Sequence, residues 1–262
     1  MSCSPSPRRH CSLRLRHAPE NDQRGKMNQL ITISRKLCDA CNELHFSAPV
    51  ATVYNPLEYA RKPHEAWLSK YGAGKKPNLF LGMNPGPFGM AQTGVPFGDV
   101  AKVRDFLKIC EPVSPPLRQH PARPITGFDC TRSEVSGTRV WNWIESTFAT
   151  KDAFFSRFWI SNYCPLVFMS KTGSNITPDK LPASQQQALF AVCDEALQAT
   201  CHALHTKTLI GIGAFATKRA QSATGNTSIN VVKILHPSPA SPAANRGWAE
   251  QVSKQLREAG LL

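Results

Sequence analysis

The sequence predicts an α/β protein with three layers, in which a central four-stranded parallel sheet lies between helices. Four short apolar runs have the length of buried strands, and they span residues 78–83, 158–161, 208–213 and 230–235. Helical patterns separate them, at 99–110, 133–148, 184–204 and 214–222. This alternation of strands and helices is typical of a mostly parallel sheet covered on both faces.

The N-terminal segment differs from the rest. Residues 1–26 carry six Arg and Lys residues against Glu20 and Asp22 and show almost no apolar periodicity, which predicts a disordered basic tail. A helical pattern opens at Met27, so residues 27–262 form the predicted domain. Met27 is also an alternative start of translation. A transit peptide is the other interpretation of the tail, but the two acidic residues weaken it.

The remaining segments follow in order. Residues 111–132 are rich in Pro and Arg and are expected to form a long loop. The last predicted helix has clear end signals: Ser241 can cap it, Pro242 suits its first turn, and Gly260 can close it.

The composition excludes some classes of function and favours others. The chain has 262 residues with 41% hydrophobic content, enough for a real core, and no apolar run reaches the roughly 18 residues of a membrane span. Its formal net charge of +13 favours a polyanionic partner such as nucleic acid, although a merely basic soluble protein fits the charge equally well.

Nine cysteines, an odd number at irregular spacing, do not form a disulfide or metal pattern. Cys38 and Cys41 form a CxxC without a second ligand pair, so we interpret them as packing residues of a helix. We therefore expect reduced thiols, an intracellular protein, no metal and no cofactor.

Polar residues follow three of the four predicted strands. Asn84 follows the first, Asn162 the second and His236 the fourth, and each is followed by a Pro-containing turn. In open parallel sheets, ligands bind at the carboxyl ends of the strands, so these side chains are expected to meet there. Any one of them alone is more often a turn former. Together they predict a pocket of amides and one imidazole, suited to a neutral heterocycle and to charge on a leaving group.

Several catalytic patterns are absent from the sequence. It has no nucleophile elbow, no GxxxxGK[ST], no GxGxxG and no HxE deaminase signature. Acyl transfer, nucleotide-phosphate binding and zinc-dependent base chemistry are therefore disfavoured.

Three segments carry a resemblance to a known family. Segment 81–98, LGMNPGPFGMAQTGVPFG, closely resembles the first motif of single-strand-selective monofunctional uracil-DNA glycosylases. Segment 236–239, HPSP, continuing to NRGW at 245–248, is similar to their second motif, and NYCP at 162–165 resembles the base-reading segment. The resemblance runs from about Val53 to the C-terminus. It implies a uracil-DNA glycosylase-like fold and a DNA repair enzyme.

The resemblance also implies roles for the strand-end residues. Asn84 would position the attacking water, since an amide cannot act as a general base. His236 would stabilise negative charge on uracil O2 by donating a hydrogen bond from a neutral ring.

Five further residues are assigned to the base by the resemblance. Asn162 would read uracil N3–H and O4 through its amide and reject cytosine. Phe97 would stack on the pyrimidine; an ordinary core aromatic is the alternative. Met83, Gly86 and Met90 are expected at the base as well. Gly86 and Met90 occupy the stretch that faces the C5 edge, which implies acceptance of 5-hydroxymethyluracil.

The loop after His236 would fill the space of the flipped nucleotide. The DNA-binding residues implied are Pro237, Ser238, Pro239, Ala240, Ser241 and Arg246. Vertebrate members carry a basic residue where this chain has Ala240, which puts the strength of the wedge in doubt. Lys171, Lys218 and Arg219 are further candidates for phosphate contacts.

No lysine lies in the three strand-end motifs, so hydrolysis should leave an intact abasic site. We expect a monomer acting on single- and double-stranded DNA, in a bacterial cytoplasm or a eukaryotic nucleus. Two alternatives stay open: a related glycosylase that prefers xanthine or hypoxanthine, and a non-catalytic damage- or single-strand-binding protein with the same fold.

Overall fold

The structure is a computed structural model that describes residues 20–262. Its first half contains helices α1 (Glu20–Asn42), α2 (Pro56–Tyr59), α3 (Arg61–Tyr71), α4 (Met90–Thr93) and α5 (Val135–Thr147) and strands β1 (Thr52–Tyr54) and β2 (Asn78–Gly82). The second half contains α6 (Lys151–Phe155), β3 (Phe158–Asn162), β4 (Val167–Met169), β5 (Asn175–Ile176), α7 (Ala183–Leu204), β6 (Thr208–Ile212), α8 (Ala214–Thr224), β7 (Asn230–Ile234), α9 (Pro242–Asn245) and α10 (Trp248–Glu258).

The central sheet is the one that the sequence predicts. Its four strands are parallel in the order β3-β2-β6-β7, and each of the four predicted apolar runs forms one of them. Every residue of β2 and β6 is buried, because helices cover both faces of the sheet. Phe80 contacts Trp143 of α5 on one face, while Trp159 stacks on Trp67 of α3 on the other.

A second, smaller sheet was not predicted. Strands β1, β4 and β5 form an antiparallel sheet in the order β1-β4-β5. The strands have three, three and two residues, which is too short for an alternating pattern to be recognised in the sequence.

The predicted C-terminal helix is in fact two helices. Ser241 caps α9 by accepting a hydrogen bond from the Ala244 N–H at 3.4 Å, and Pro242 occupies its first turn, as expected. The helix ends after Asn245 because Gly247 adopts a left-handed conformation with φ of +99°. Helix α10 then begins at Trp248. Within the predicted helix 99–110, Lys102–Phe106 forms a π-helical segment.

Helix α1 begins at Glu20, inside the segment expected to be a tail, and packs against α7. The rest of that expected tail, residues 1–19, lies outside the described residues. Cys38 and Cys41 are both buried on α1 with free thiols, in agreement with a packing role. Among the described residues, no helix combines the length and apolar character needed to cross a membrane.

Candidate active site

The carboxyl ends of the four parallel strands surround one open cavity of about 540 Å³. Seven residues expected at the base or in the reaction line it: Met83, Asn84, Gly86, Met90, Phe97, Asn162 and His236. Segments far apart in sequence therefore converge at one edge of the sheet, as the rule for parallel sheets predicts.

The amide of Asn84 is held in one orientation. Its Nδ2 donates a hydrogen bond to the carbonyl of Leu166 at 3.2 Å, in the loop after β3. That loop is tied to the end of β2, since Cys164 N–H donates to the Met83 carbonyl at 2.9 Å. With the NH₂ group engaged, the Oδ1 of Asn84 is the atom left to accept a hydrogen bond from a ligand or a water in the cavity.

His236 is held as a neutral ring with its proton on Nε2. The backbone N–H of Ser238 donates to Nδ1 at 3.1 Å, so Nδ1 is an acceptor and Nε2 carries the proton. Burial lowers the pKa of His236 below its ordinary value, which favours the neutral form. The ring also packs on Gly213: a Cβ added there would lie 3.3 Å from Cδ2 of the His236 ring. Gly213 has a φ of +86°, which glycine adopts without strain.

The strand that carries His236 is anchored on both sides of that residue. Before it, the backbone of Leu235 accepts from Trp248 Nε1 at 2.8 Å and donates to Gln255 Oε1 at 2.9 Å. After it, Arg139 of α5 donates to the Pro237 carbonyl at 3.1 Å and to the Ser238 carbonyl at 3.4 Å. These contacts hold the imidazole at the edge of the sheet.

Asn162 and Phe97 meet over Gly82, the last residue of β2. A Cβ at Gly82 would lie 2.5 Å from Phe97 Cζ and 2.6 Å from Asn162 Oδ1, so only glycine leaves room for both side chains. The Asn162 Nδ2 contacts Met90 Sδ at 3.4 Å. The Asn162 amide thus lies beside the aromatic ring, where it can read the edge of a base stacked on Phe97.

Phe97 is held in an unusual backbone conformation. Its φ is +56°, in the left-handed region that bulky residues rarely adopt. Its carbonyl accepts a hydrogen bond from Trp141 Nε1 at 3.0 Å, which fixes the peptide. Backbone strain of this kind concentrates at ligand sites, where the surrounding structure determines it. The ring is 9% exposed and borders the cavity while packing in the core, so the two interpretations of Phe97 are compatible.

Gln92 stabilises the loop that holds Asn84 and Gly86. Its buried amide donates to the carbonyls of Pro87 and Pro124 and accepts from the N–H groups of Thr126 and Gly127. All four hydrogen bonds available to this side chain are therefore satisfied between two loops.

The sequence is similar to those of known proteins. The family model described as the uracil DNA glycosylase superfamily matches residues 69–257. The chain belongs to the uracil DNA glycosylase superfamily. It is 43% identical over 246 residues to the single-strand selective monofunctional uracil DNA glycosylase of Bos taurus, covering 93% of this chain and 90% of that protein. Identity to the Mus musculus protein of the same name is 44%, over 84% of this chain and 80% of that one.

The fold is matched as well. The crystal structure of wild-type SMUG2 from Pedobacter heparinus superposes with a TM-score of 0.63 at 21% identity, covering 87% of this chain and 97% of that one. The match to the bovine protein is longer than the stretch from Val53 to the C-terminus, so the similarity reaches further toward the N-terminus than the motifs indicated.

In this glycosylase, the loop after His236 lies at the cavity mouth. Ser238 borders the cavity, Pro239 and Ala240 are exposed, and Pro237 is buried. Ser241 is engaged as the cap of α9, and Arg246 is exposed. The loop therefore presents its tip to solvent while its base is fixed.

The prediction that Arg219 of the glycosylase contacts phosphate is wrong. Arg219 is 14% exposed in its side chain, pairs with Asp194, donates to Tyr163 Oη at 3.0 Å and stacks on Phe190. It ties α8 to α7 behind the base-reading segment and is not free to bind DNA. Lys171 and Lys218 are exposed.

The sequence did not point to several residues of the glycosylase site. Glu134 and Ser136 at the start of α5, Asn175 and Thr177 after β4, and Phe215 on α8 all border the cavity. Among the side chains that the structure describes, no three of His, Cys, Asp or Glu cluster so as to hold a metal. Ser133 and Glu134 are the first two residues of the predicted helix 133–148, where capping residues occur, and this was a weak signal for Glu134 alone.

Proposed function

We propose that this protein is a monofunctional uracil-DNA glycosylase, which hydrolyses the N-glycosidic bond of uracil in DNA. The observation that carries the proposal is the convergence of Asn84, Asn162 and His236 on one cavity, with His236 held as a neutral Nε2–H donor. Each group has the hydrogen-bonding capacity that a different part of this reaction needs.

The reaction requires base and water to be placed on opposite sides of the sugar C1′. The C1′–N1 bond breaks, its electron pair goes to the base, and negative charge develops on O2. The Nε2–H of His236 donates to that oxygen, and removing such a donor typically costs about 10²–10³ in rate. Water, oriented by Asn84 Oδ1, bonds to C1′, and its proton passes to solvent. Correct placement rather than proton abstraction is the contribution of Asn84.

Base selection follows from the Asn162 amide. Its Oδ1 accepts from uracil N3–H and its Nδ2 donates to O4, whereas cytosine offers the reverse pattern and would leave buried polar groups unpaired. Phe97 stacks on the flipped pyrimidine. Gly86, Met83 and Met90 border the C5 edge, and a Cβ at Gly86 would meet no atom within 4 Å. This open space supports acceptance of 5-hydroxymethyluracil.

The product is an abasic site in an uncut strand, because no motif of the site supplies an amine nucleophile. The substrate is uracil-containing DNA, single- or double-stranded, bound by a monomer. The exposed loop tip at Pro239 and Ala240 enters the space that the flipped nucleotide leaves, and Arg246 contacts phosphate. Such an enzyme acts where DNA is kept, in a bacterial cytoplasm or a eukaryotic nucleus.

The test is uracil release from a labelled oligonucleotide with a single U, in single- and double-stranded form. Asn84→Ala and His236→Ala are compared with Asn226→Ala and His202→Ala, which change the same residue types at exposed positions. We expect an alkali-labile site from the wild type and the control variants, and a loss of at least about a hundredfold from the two site variants.

Other outcomes discriminate between alternatives. Release of xanthine or hypoxanthine in preference to uracil would assign a different lesion. Binding without release of any of these bases would make the chain a non-catalytic binding protein. A borohydride-trapped covalent adduct would contradict hydrolysis by water.

A further inference from the structure

Asn84, the residue proposed to position the water, carries no charge. As the glycosidic bond breaks, positive charge develops on the sugar, and a carboxylate at the water-positioning residue would stabilise it. In this protein the Leu166 carbonyl lies 3.2 Å from Nδ2 of Asn84 and requires a donor there. A carboxylate in that place would face a carbonyl oxygen and be repelled, so the site disfavours an ionised acid at residue 84.

A carboxylate lies elsewhere in the same cavity. Among the described residues that line it, Glu134 is the single acidic side chain, and His236 is the single other titratable one. Glu134 caps α5 by accepting from the N–H groups of Ser136, at 3.2 Å, and Gly137. Two amide donors leave lone pairs of the carboxylate unused, and these can face the cavity.

Glu134 contacts one of the two loops that carry the reaction and lines the same cavity as the other. The loop that it contacts is the one that follows Asn84: a Cβ on Gly89 would lie 2.8 Å from Glu134 Cγ. Arg139, five residues further along α5, holds the Pro237 and Ser238 carbonyls of the loop after His236. A sugar attacked by water from Asn84, with its base on His236, occupies the space between these loops.

The charge of Glu134 is not cancelled by a neighbouring cation. In the part of the chain that the structure describes, no Lys, Arg or His forms a salt bridge with it. Arg139 donates its hydrogen bonds to two backbone carbonyls and to Asn245 Oδ1. A partly buried carboxylate without a counter-ion acts over a longer range than one exposed to water.

We propose that Glu134 is an electrostatic residue of the reaction, which stabilises the positive charge of the sugar in place of an acid at residue 84. The inference rests on the proposed glycosylase function and assigns Glu134 no proton transfer and no covalent step. Its capping of α5 is the competing explanation, and the two make different predictions.

The first test is Glu134→Gln, which removes the charge and keeps one of the two oxygens that cap the helix. Glu145→Gln is the matched control, because Glu145 lies on the same helix, exposed and paired with Lys102. We expect the single-turnover rate of uracil release to fall at least tenfold in Glu134→Gln, with the affinity for uracil-containing DNA unchanged. The melting temperature should fall slightly, because one of the two cap hydrogen bonds of α5 is lost. Glu145→Gln should match the wild type.

The second test measures charge recognition directly. Two oligonucleotides carry abasic analogues at the target position: a pyrrolidine, which is cationic like the reacting sugar, and a tetrahydrofuran, which is neutral. The wild type should bind the pyrrolidine more tightly, and Glu134→Gln should lose at least tenfold of that preference while binding the tetrahydrofuran equally well.

A purely capping role predicts the opposite result, namely an unchanged preference in Glu134→Gln, and that result would overturn the inference. The proposed function is tested separately by uracil release from the wild type. A wild type that releases uracil, with a Glu134→Gln variant of equal rate, would leave the function intact and remove this role of Glu134.

Discussion

The backbone N–H of Ser238 donates a hydrogen bond to Nδ1 of His236 at 3.1 Å, two residues away. This local contact decides the tautomer of the only imidazole that lines the cavity in the described residues. A proton on Nδ1 would point at the Ser238 N–H, so protonation of the ring requires the loop to open. Burial acts in the same direction by lowering the pKa of His236.

We therefore expect His236 to be neutral, with its proton on Nε2, throughout the neutral pH range. ¹⁵N NMR of labelled imidazoles should show the Nε2–H tautomer and a pKa below 6.5. His202, which is exposed, provides the reference signal. A cationic His236 at pH 7 would contradict the mechanism proposed for O2.

Arg139 connects α5 to the loop that carries His236, through contacts with the Pro237 and Ser238 carbonyls. Arg139→Ala should slow uracil release by roughly tenfold or more, since small displacements of catalytic groups cost up to about 10²-fold. Arg139→Lys should be intermediate, because an ammonium lacks the planar fork. Arg104→Ala, which removes an exposed partner of Asp105, is the control. Equal single-turnover rates for all three variants would exclude a positioning role.

Phe97 has a φ of +56°, which glycine tolerates and alanine does not. Phe97→Gly and Phe97→Ala both lose the ring that we propose to stack on the base, a contact worth about 1–3 kcal/mol per base, so both should be slow. Phe97→Gly should nevertheless be more stable than Phe97→Ala by about 1 kcal/mol, the reverse of the order in an ordinary strand or helix. Urea denaturation measures this difference. A more stable alanine variant would show that the backbone conformation relaxes.

His64 should make stability depend on pH. It is buried, donates from Nδ1 to the Gly94 carbonyl at 2.7 Å, and has its pKa lowered by burial to about 4. The unfolded chain takes up this proton below about 6.5, before the folded protein does. The contribution of His64 to the free energy of unfolding is therefore fully present above pH 6.5. It decreases as the pH falls to about 4, by about 3 kcal/mol at 1.36 kcal/mol per pKa unit.

Denaturant unfolding between pH 7 and pH 4 tests this expectation. His64→Gln keeps a donor for the Gly94 carbonyl and should reduce the pH dependence, whereas His202→Gln, at an exposed position, should leave it unchanged. An identical slope in wild type and His64→Gln would show that other groups cause the acid destabilisation.

The sequence alone determined the fold class. Each of the four apolar runs forms one strand of the sheet. The two central strands, β2 and β6, are buried throughout, because strands covered on both faces are predominantly apolar, whereas β7 at the edge is mostly partly exposed. The polar residues placed directly after those runs, Asn84, Asn162 and His236, then had to meet at one edge of the sheet. Ser241 and Pro242 likewise marked the start of α9, since capping depends on residues three or four positions apart.

Only the tertiary structure decided how these side chains are held. Arg139 and Pro237 are 98 residues apart, and Asn84 and Leu166 are 82 apart, so no local pattern connects them. In the sequence, Arg219 is a candidate for a DNA contact, whereas in the fold it is a partly buried partner of Asp194. Glu134 has the sequence position of a helix cap, and its place in the cavity follows from loops that meet only when the sheet assembles. Local propensity acts over a few residues, whereas burial, charge pairing and ring orientation depend on contacts that exist only in the folded chain.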